Sequence, residues 1–464
     1  MRRSSKQLGL LNVIPYLGYS IPPATFCFCI KAAPSYPAPP PPSFPMLAGL
    51  PPEVWRMVFG YLTTKTSPIN PSELSAEVLW KNSTFPDPHI TCDVPTLQQF
   101  MGRTIPCRTW KPKFKPSSEA LIVVQVCHAW YDLGLEFLYH TVVFSTKSHF
   151  DILRVTLAPP NGRGRFVRRV RIGRSVQALP DDLRSVLNYC PGIEDFEAHE
   201  MYPSRLLFPS LASLSNIRHC FFSNRESSIS SHISPVNLSP LTNLRTLHIH
   251  AWNFSEQRPA TLPQLAVLIL KCYACPSDYY HHVATKWTLP SLRVLVCHRI
   301  TTPRLHALCK AFAQTVEVLE VIEYESWATI LPTLEMPMLK HLAVGWNAPP
   351  PATILRLNLS RHFHYLPSLT TLHIDNLDQA LRFGRVVAVA AAIEEEIAML
   401  GPESPLAPQL QALYVGARIQ DLTGGALERC FATGPAAGWV LRGKDGIWKV
   451  TGNGQLILDD PATA

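Results

Sequence analysis

The chain has 464 residues, of which 47% are hydrophobic and 16% charged, and a formal net charge of +8. That composition excludes a wholly disordered chain and supplies enough apolar surface for about three ordinary domains or one elongated array. The positive surplus is modest for this length and gathers in one short stretch, so alone it does not point to nucleic acid.

Residues 1–45 read as a Pro-rich disordered tail. Met1-Arg2-Arg3 and Lys6 precede an uncharged run from Gln7 to Ile30, the layout of a secretory or mitochondrial leader. Pro15, Pro22 and Pro23 interrupt it, and no unbroken 18-residue apolar stretch is present to span a membrane. From Pro34 to Pro45 seven of twelve residues are Pro, which predicts an extended linker.

The next stretch, 47–62, predicts a helix. Leu50 precedes Pro51-Pro52, and Pro suits the first helical turn, where its missing N–H costs nothing. Glu53 follows at the positive end of the helix dipole. From Val54 to Leu62 only Arg56 and Gly60 are not apolar, so the helix has no wet face. A helix of that kind is either buried in a large domain or shared between its own fold and a partner; its place between a Pro-rich tail and a polar loop favours the partner. Residues 63–116 carry eight Pro, which forbid long regular structure, with short helices expected over Ser72–Lys81 and from Pro95 to Phe100. A second helix follows: Ser117 is its N-cap, Glu119 lies in its first turn, and Val123, Val126 and Trp130 form one row beside Leu121, Val124 and Cys127. Gly134 is expected to break or bend it, and Thr141-Val142-Val143-Phe144 reads as a strand.

These two helices resemble an F-box: a Leu-Pro-x-Glu start running to Tyr61-Leu62, then Val126-Cys127-x-x-Trp130-x-x-Leu133. The resemblance implies that residues 46–144, with the long insert at 63–116, dock onto the Skp-type adaptor of a cullin–RING ubiquitin ligase. The contacts it implies are Leu50, Pro51, Val54, Trp55, Val58, Phe59, Leu62, Val126, Cys127, Trp130 and Leu133. F-box modules join their helices by a short turn, so the insert is a departure from the family.

From residue 164 one pattern recurs, x-P-x-L-x-x-L-x-I. Copies begin at Gly164, Cys190, Leu214, Leu241, Leu262, Leu289, Ala313, Met336, Leu366 and Ala407, at steps of 21 to 41 residues. Each copy predicts a strand with its apolar residues on one side. One strand cannot bury that side alone, whereas a parallel stack forms a continuous core with the return segments as its second wall. The spacing resembles leucine-rich repeats, though the Asn that often follows the last apolar position appears only as Asn347. An ordinary α/β domain with parallel strands is the plainer reading of the same pattern. Helices are expected at Asp181–Leu187, at Arg304–Phe312 with Leu305, Leu308 and Phe312 on one face, and at Asp378–Leu400. Residues 439–450 read as a hairpin around Gly443-Lys444-Asp445-Gly446, in a C-terminal cap spanning 424–464.

No phosphate-binding loop, dinucleotide fingerprint, H-E-x-x-H or G-x-S-x-G motif is present. Cys272 and Cys275, near His281 and His282, have metal-type spacing without a second pair, and His248/His250 and His362/His364 sit at strand spacing where outward-facing residues are expected. No cofactor, metal or catalytic residue is expected. The scattered Cys, several in apolar runs, suit a reducing compartment. The sharpest local feature is a cluster of six Arg from Arg163 to Arg174. Its plain reading is a strand with Val inward and Arg on a solvated rim. Its functional reading is an anion or substrate site at Arg165, Arg168, Arg169 and Arg171, because Arg forks suit phosphate and carboxylate.

The expected architecture is therefore α/β: an F-box-like helical module, then a leucine-rich-repeat-like solenoid of parallel strands over 145–423. The resemblance implies a non-catalytic substrate-recognition subunit of a Skp–cullin–F-box ligase, cytoplasmic or nuclear, that meets an adaptor, through it a cullin, and a protein substrate, with neither nucleic acid nor membrane as partner. Two other readings stay open: a repeat scaffold with no ligase role, and an extracellular or membrane-anchored recognition protein.

Overall fold

A computed structural model describes residues 53–55, 57, 128–159, 162–175, 180–199, 215–223, 238–250, 259–271, 279–298, 300–324, 334–346, 363–375, 407–415, 440–443, 446–450 and 456–459. All of them belong to the unit Pro51–Ala464. The tail at 1–45, the insert at 63–116, the Cys272/Cys275 pair and the expected helix at 378–400 lie outside the described residues, as do Leu50, Pro51, Val58, Phe59, Leu62, Val126 and Cys127.

The repeat phase becomes one strand per repeat. In chain order the strands are β1 (Thr141–Thr146), β2 (Arg169–Ser175), β3 (Asp195–His199), β4 (His219–Ser223), β5 (Thr246–His250), β6 (Ala260–Thr261), β7 (Val267–Lys271), β8 (Trp287–Thr288) and β9 (Val294–His298). They continue with β10 (Val318–Tyr324), β11 (Leu334–Glu335), β12 (His341–Trp346), β13 (Phe363–Tyr365), β14 (Thr371–Asp375), β15 (Ala412–Val415), β16 (Val440–Gly443), β17 (Gly446–Val450) and β18 (Leu456–Asp459). Fourteen of them form one sheet in the order β1-β2-β3-β4-β5-β7-β9-β10-β12-β14-β15-β16-β17-β18. Every pairing as far as β16 is parallel; β16–β17 and β17–β18 are antiparallel. β6 pairs with β8 and β11 with β13 in two short parallel ladders of their own. The architecture is α/β with a mostly parallel sheet.

Register follows the apolar pattern. Val142, Val170, Phe196, Cys220, Leu247, Leu268, Leu295, Leu319, Leu342, Leu372 and Leu413 stand directly opposite one another across successive strands. Two residues on, the row from Phe144 and Ile172 to Val344 and Ile374 repeats the alignment. Both rows are buried, because a slip of one residue would turn every apolar side chain to the opposite face. The helices supply the second wall: α1 (His128–Tyr139), α2 (Lys147–Leu157), α3 (Pro180–Tyr189), α4 (Tyr279–Lys286) and α5 (Thr302–Phe312). Phe150 and Leu157 of α2, Leu183, Val186 and Leu187 of α3, Tyr279, Tyr280 and Val283 of α4, and Leu305, Leu308 and Phe312 of α5 join the strand residues in one core.

The Pro positions have a turn function. In Leu289-Pro290-Ser291-Leu292 the N–H of Leu292 donates to the carbonyl of Leu289, and the same bond recurs at Met336/Leu339, Leu366/Leu369 and Ala407/Leu410. Pro at the second residue pre-sets the turn's φ. Four turns tie back to the previous repeat through their third residue. Asn216 donates to the carbonyl of Pro191 (3.1 Å), Asn243 to that of Ser215 (2.6 Å), Ser291 to that of Pro263 (2.6 Å) and Ser368 to that of Pro337 (2.6 Å). The chain thus has a side-chain ladder without the Asn usual after the strand.

Three details differ from the sequence reading. β1, expected at the end of the helical module, is the first strand of the sheet, paired in parallel with β2. α1 runs through Gly134 without a break, and the glycine is buried, so packing of the helix outweighs its low helix propensity. The 3₁₀ turn Arg163–Phe166 carries Gly164, whose missing side chain lets the backbone pass against the Tyr189 carbonyl. Among the described residues no helix is long and apolar enough to cross a membrane.

Candidate functional site: the second face of the sheet

The x positions of Leu-x-x-Leu-x-Ile face away from the core, and the register stacks them into three rows. The entry row holds the residue just before each strand: Arg168, Glu194, Arg218, Arg245, Ala266, Arg293, Glu317, Lys340 and Thr370. Its carbonyls are fixed, since each accepts two N–H groups from the next strand's entry, at 2.7–3.1 Å from Arg168 to Thr370. The middle row runs Arg169, Asp195, His219, Thr246, Val267, Val294, Val318, His341, Thr371, Ala412. The far row runs Arg171, Glu197, Phe221, His248, Ile269, Val296, Glu320, Ala343, His373, Tyr414.

Read along the sheet, this face changes chemistry by blocks. β2 presents only Arg and β3 only carboxylates. β7 and β9 present Val and Ile, which with Val318 form a second buried apolar cluster apart from the main core. Phe221 meets the His248 ring edge-on at 4.5 Å, and His373 tilts against Tyr414 at 5.9 Å.

The Arg cluster resolves into parts with different tasks. Arg169 Nε donates to Asp195 at 2.7 Å and Arg171 to Glu197 at 2.9 Å, both across the β2–β3 boundary. Arg168 donates to the Gly192 carbonyl at 3.2 Å. Arg165 is exposed and lies over the Phe166 ring at 4.7 Å. Arg163 sits 5.4 Å over the Tyr139 ring and donates to the hydroxyls of Tyr139 (2.8 Å) and Tyr131 (2.9 Å), fastening α1 to the 3₁₀ turn. The expected solvated rim is therefore corrected at Arg171, which is only 6% exposed. Burial draws its pKa down, and the neighbouring Glu197 carboxylate opposes that. Arg169 and Arg171, two of the four residues marked for an anion site, meet carboxylates of this same chain. The signal was in the sequence: Glu194, Asp195 and Glu197 stand one 26-residue step after Arg168, Arg169 and Arg171.

The two histidines at this end are held neutral. His219 lies 3.9 Å from Asp195, yet burial lowers its pKa, and Arg169, Arg245 and Arg218 lower it further against Asp195. Burial also lowers that of His140, with Arg169 adding to the effect. Burial pushes the thiols of Cys190 and Cys309 up to about 12 and raises those of Cys220 and Cys297 as well, so these free cysteines are neutral packing groups.

Of the residues that the F-box resemblance marked for adaptor contact, four lie among the described ones. Val54 and Trp55 are helical, Val54 36% exposed and Trp55 half-buried; Met57, one turn on, is 74% exposed. Trp130 and half-buried Leu133 lie on α1, which packs beside β1 and the 3₁₀ turn. Among the described residues no group of three His, Cys, Asp or Glu side chains is placed to hold a metal ion. No protein-family model matches the chain, and no curated protein sequence matches it.

Proposed function

We propose that this protein recognises another protein on the second face of its sheet and presents it, through the N-terminal F-box-like helices, to a Skp-type adaptor and so to a cullin ligase. The observation that supports recognition most is the open rim of that face: the entry row exposes the side chains of Arg218, Arg293 and Lys340, while the apolar positions of β7 and β9 and His248 and His341 beside it are buried within the chain, on strands that the main core holds rigid from behind. Exposed rows of that kind on stacked repeats are what repeat proteins use for binding. The adaptor half of the proposal rests on the Leu50-Pro51-Pro52-Glu53 start and on the apolar side chains that Val54 and Met57 leave exposed.

The test is capture of a purified Skp-type adaptor by the full chain. Leu50→Ala together with Pro51→Ala should weaken capture about tenfold or more, since interface energy concentrates in a few apolar anchors, and should leave the thermal unfolding of the sheet unchanged. A folded chain that captures no adaptor would remove the ligase role.

A second reading has its own support. Arg163 binds both tyrosine hydroxyls of α1 and so fixes that helix to the first repeat. An α1 whose task is to cap the open end of the sheet makes the chain a scaffold without an adaptor. Under that reading the Leu50/Pro51 variants change nothing in any binding assay, whereas Arg163→Ala loosens the sheet's first strands.

A further inference from the structure

We infer that the entry row of the second face, centred on Arg218, Arg245 and Arg293, is a docking strip for an acidic segment of the protein partner. The inference deepens the recognition reading above and rests on it.

The strip has three properties, of which the first two set it apart from the paired Arg169 and Arg171 of β2. First, it is in surplus. Arg218 lies 3.7 Å from Glu194, and Arg293 lies 3.8 Å from Glu317, but Lys340 already holds Glu317 at 2.9 Å. Among the described residues Arg245 has no carboxylate within ion-pair reach. Five cations, counting Arg168 and Lys340, thus face two carboxylates along one row. Second, it is open: the side chains of Arg218 and Arg293 are 49% and 67% exposed, against 8% for Arg171. Third, it is ordered beforehand. The paired hydrogen bonds on each entry carbonyl fix the backbone, so Arg218 and Arg245 stand one strand apart, about 4.8 Å, and Arg293 two strands further on. Like charges at that spacing repel within a screening length of about 8 Å, and a partner's carboxylates relieve the repulsion.

The alternation of sign selects the class of partner. Glu194 and Glu317 interrupt the row, and the carboxylates of β3 lie beside it. A continuous phosphate backbone would meet them at every turn of its path, while a peptide places its acids only where the cations stand.

The experiment uses the full chain and a fluorescein-labelled poly-Glu peptide, followed by fluorescence anisotropy. Binding should weaken as salt rises, and Arg245→Gln with Arg293→Gln should weaken it about tenfold, each exposed ion pair contributing a modest factor. Arg293→Glu, at the most exposed position of the strip, should weaken it at least as much as loss of that charge alone, with no change in thermal unfolding; the Lys variants of both positions should restore most of the binding. Wild-type affinity in the Gln and Glu variants overturns the inference, and so does tighter binding of single-stranded oligo-dT than of poly-Glu. Adaptor capture is measured on the same preparations. Capture without poly-Glu binding removes only the strip, and poly-Glu binding without capture removes only the ligase role.

Discussion

Arg171 and Glu197 show what the second face costs the fold. Both side chains are largely buried, and the guanidinium lies 2.9 Å from the carboxylate. Removing one partner leaves a desolvated charge, which in proteins costs several kcal/mol, while replacing both with apolar groups is often neutral. Because Glu197 keeps 23% of its side-chain exposure, Arg171→Leu should cost less than a fully buried pair, about 2–3 kcal/mol. The double variant Arg171→Leu/Glu197→Leu should recover most of that. Urea midpoints decide it: additive losses would mean that the two groups do not depend on each other. The histidines add a dependence on pH at the same end of the sheet. His219 and His140 have folded pKa values below the ordinary 6.5, chiefly because they are buried. Below pH 6.5 the unfolded chain takes up their protons first, so their contribution is complete above that pH and is lost as pH falls through it toward the folded values. His219→Gln should flatten the fall in melting temperature between pH 7 and pH 5, relative to the unaltered chain. An unchanged slope would place the acid sensitivity elsewhere.

At the scale of the element, four repeats are held to the previous one by a turn side chain as well as by the strand. Asn243 donates to the Ser215 carbonyl and accepts from Gln264 at 3.2 Å, so it links three consecutive repeats. Asn243→Ala, Ser291→Ala and Ser368→Ala should each lower stability by about 0.5–1.5 kcal/mol, and together nearly additively, because the positions lie in different repeats. A triple variant with the melting temperature of the unaltered chain would show that water replaces these bonds at no cost. The ladder also shows what the sequence disclosed and what it concealed. The strands were legible because Leu-x-x-Leu-x-Ile sets both their phase and their inward side; all ten copies lie at or directly before a strand of the sheet. The expected helices at 181–187 and 304–312 were legible from acids in the first turn and from Leu305, Leu308 and Phe312 on one face. α2 and α4 were not, since short amphipathic stretches beside Ser, His and Tyr carry weak local propensity and are fixed by the core they cover. The turn ladder was missed because it uses Asn in some repeats and Ser in others, and only the fold makes the two equivalent.

At the scale of the whole sheet, the arrangement of the two faces sets where the molecule is firmest. Stacked strands touch only their neighbours, so cooperativity is local and opening starts from the ends. The end at β2 and β3 buries apolar side chains on one face and ion pairs on the other. The strands β7, β9 and β10 bury apolar side chains on both: Leu268, Leu295 and Leu319 against the helices, and Val267, Ile269, Val294, Val296 and Val318 opposite. A strand buried on both faces reads as a nearly continuous apolar run, and Val294-Leu295-Val296-Cys297 is one. Each buried Val or Leu adds about 1.5–3 kcal/mol of transfer free energy, which these central strands collect twice and the first strands once. The docking strip proposed at the entry row passes directly along this firm centre, so its cations keep their spacing without a partner. Native-state amide exchange should therefore be slowest in β7, β9 and β10, faster in β2 and β3, and fastest at β1 and β18. Addition of poly-Glu should change the exchange of the central strands little, because their order precedes binding. Faster exchange in β9 than in β2, or a central block that gains protection only with the peptide, would mean that the second apolar cluster does not stabilise the sheet as its burial implies.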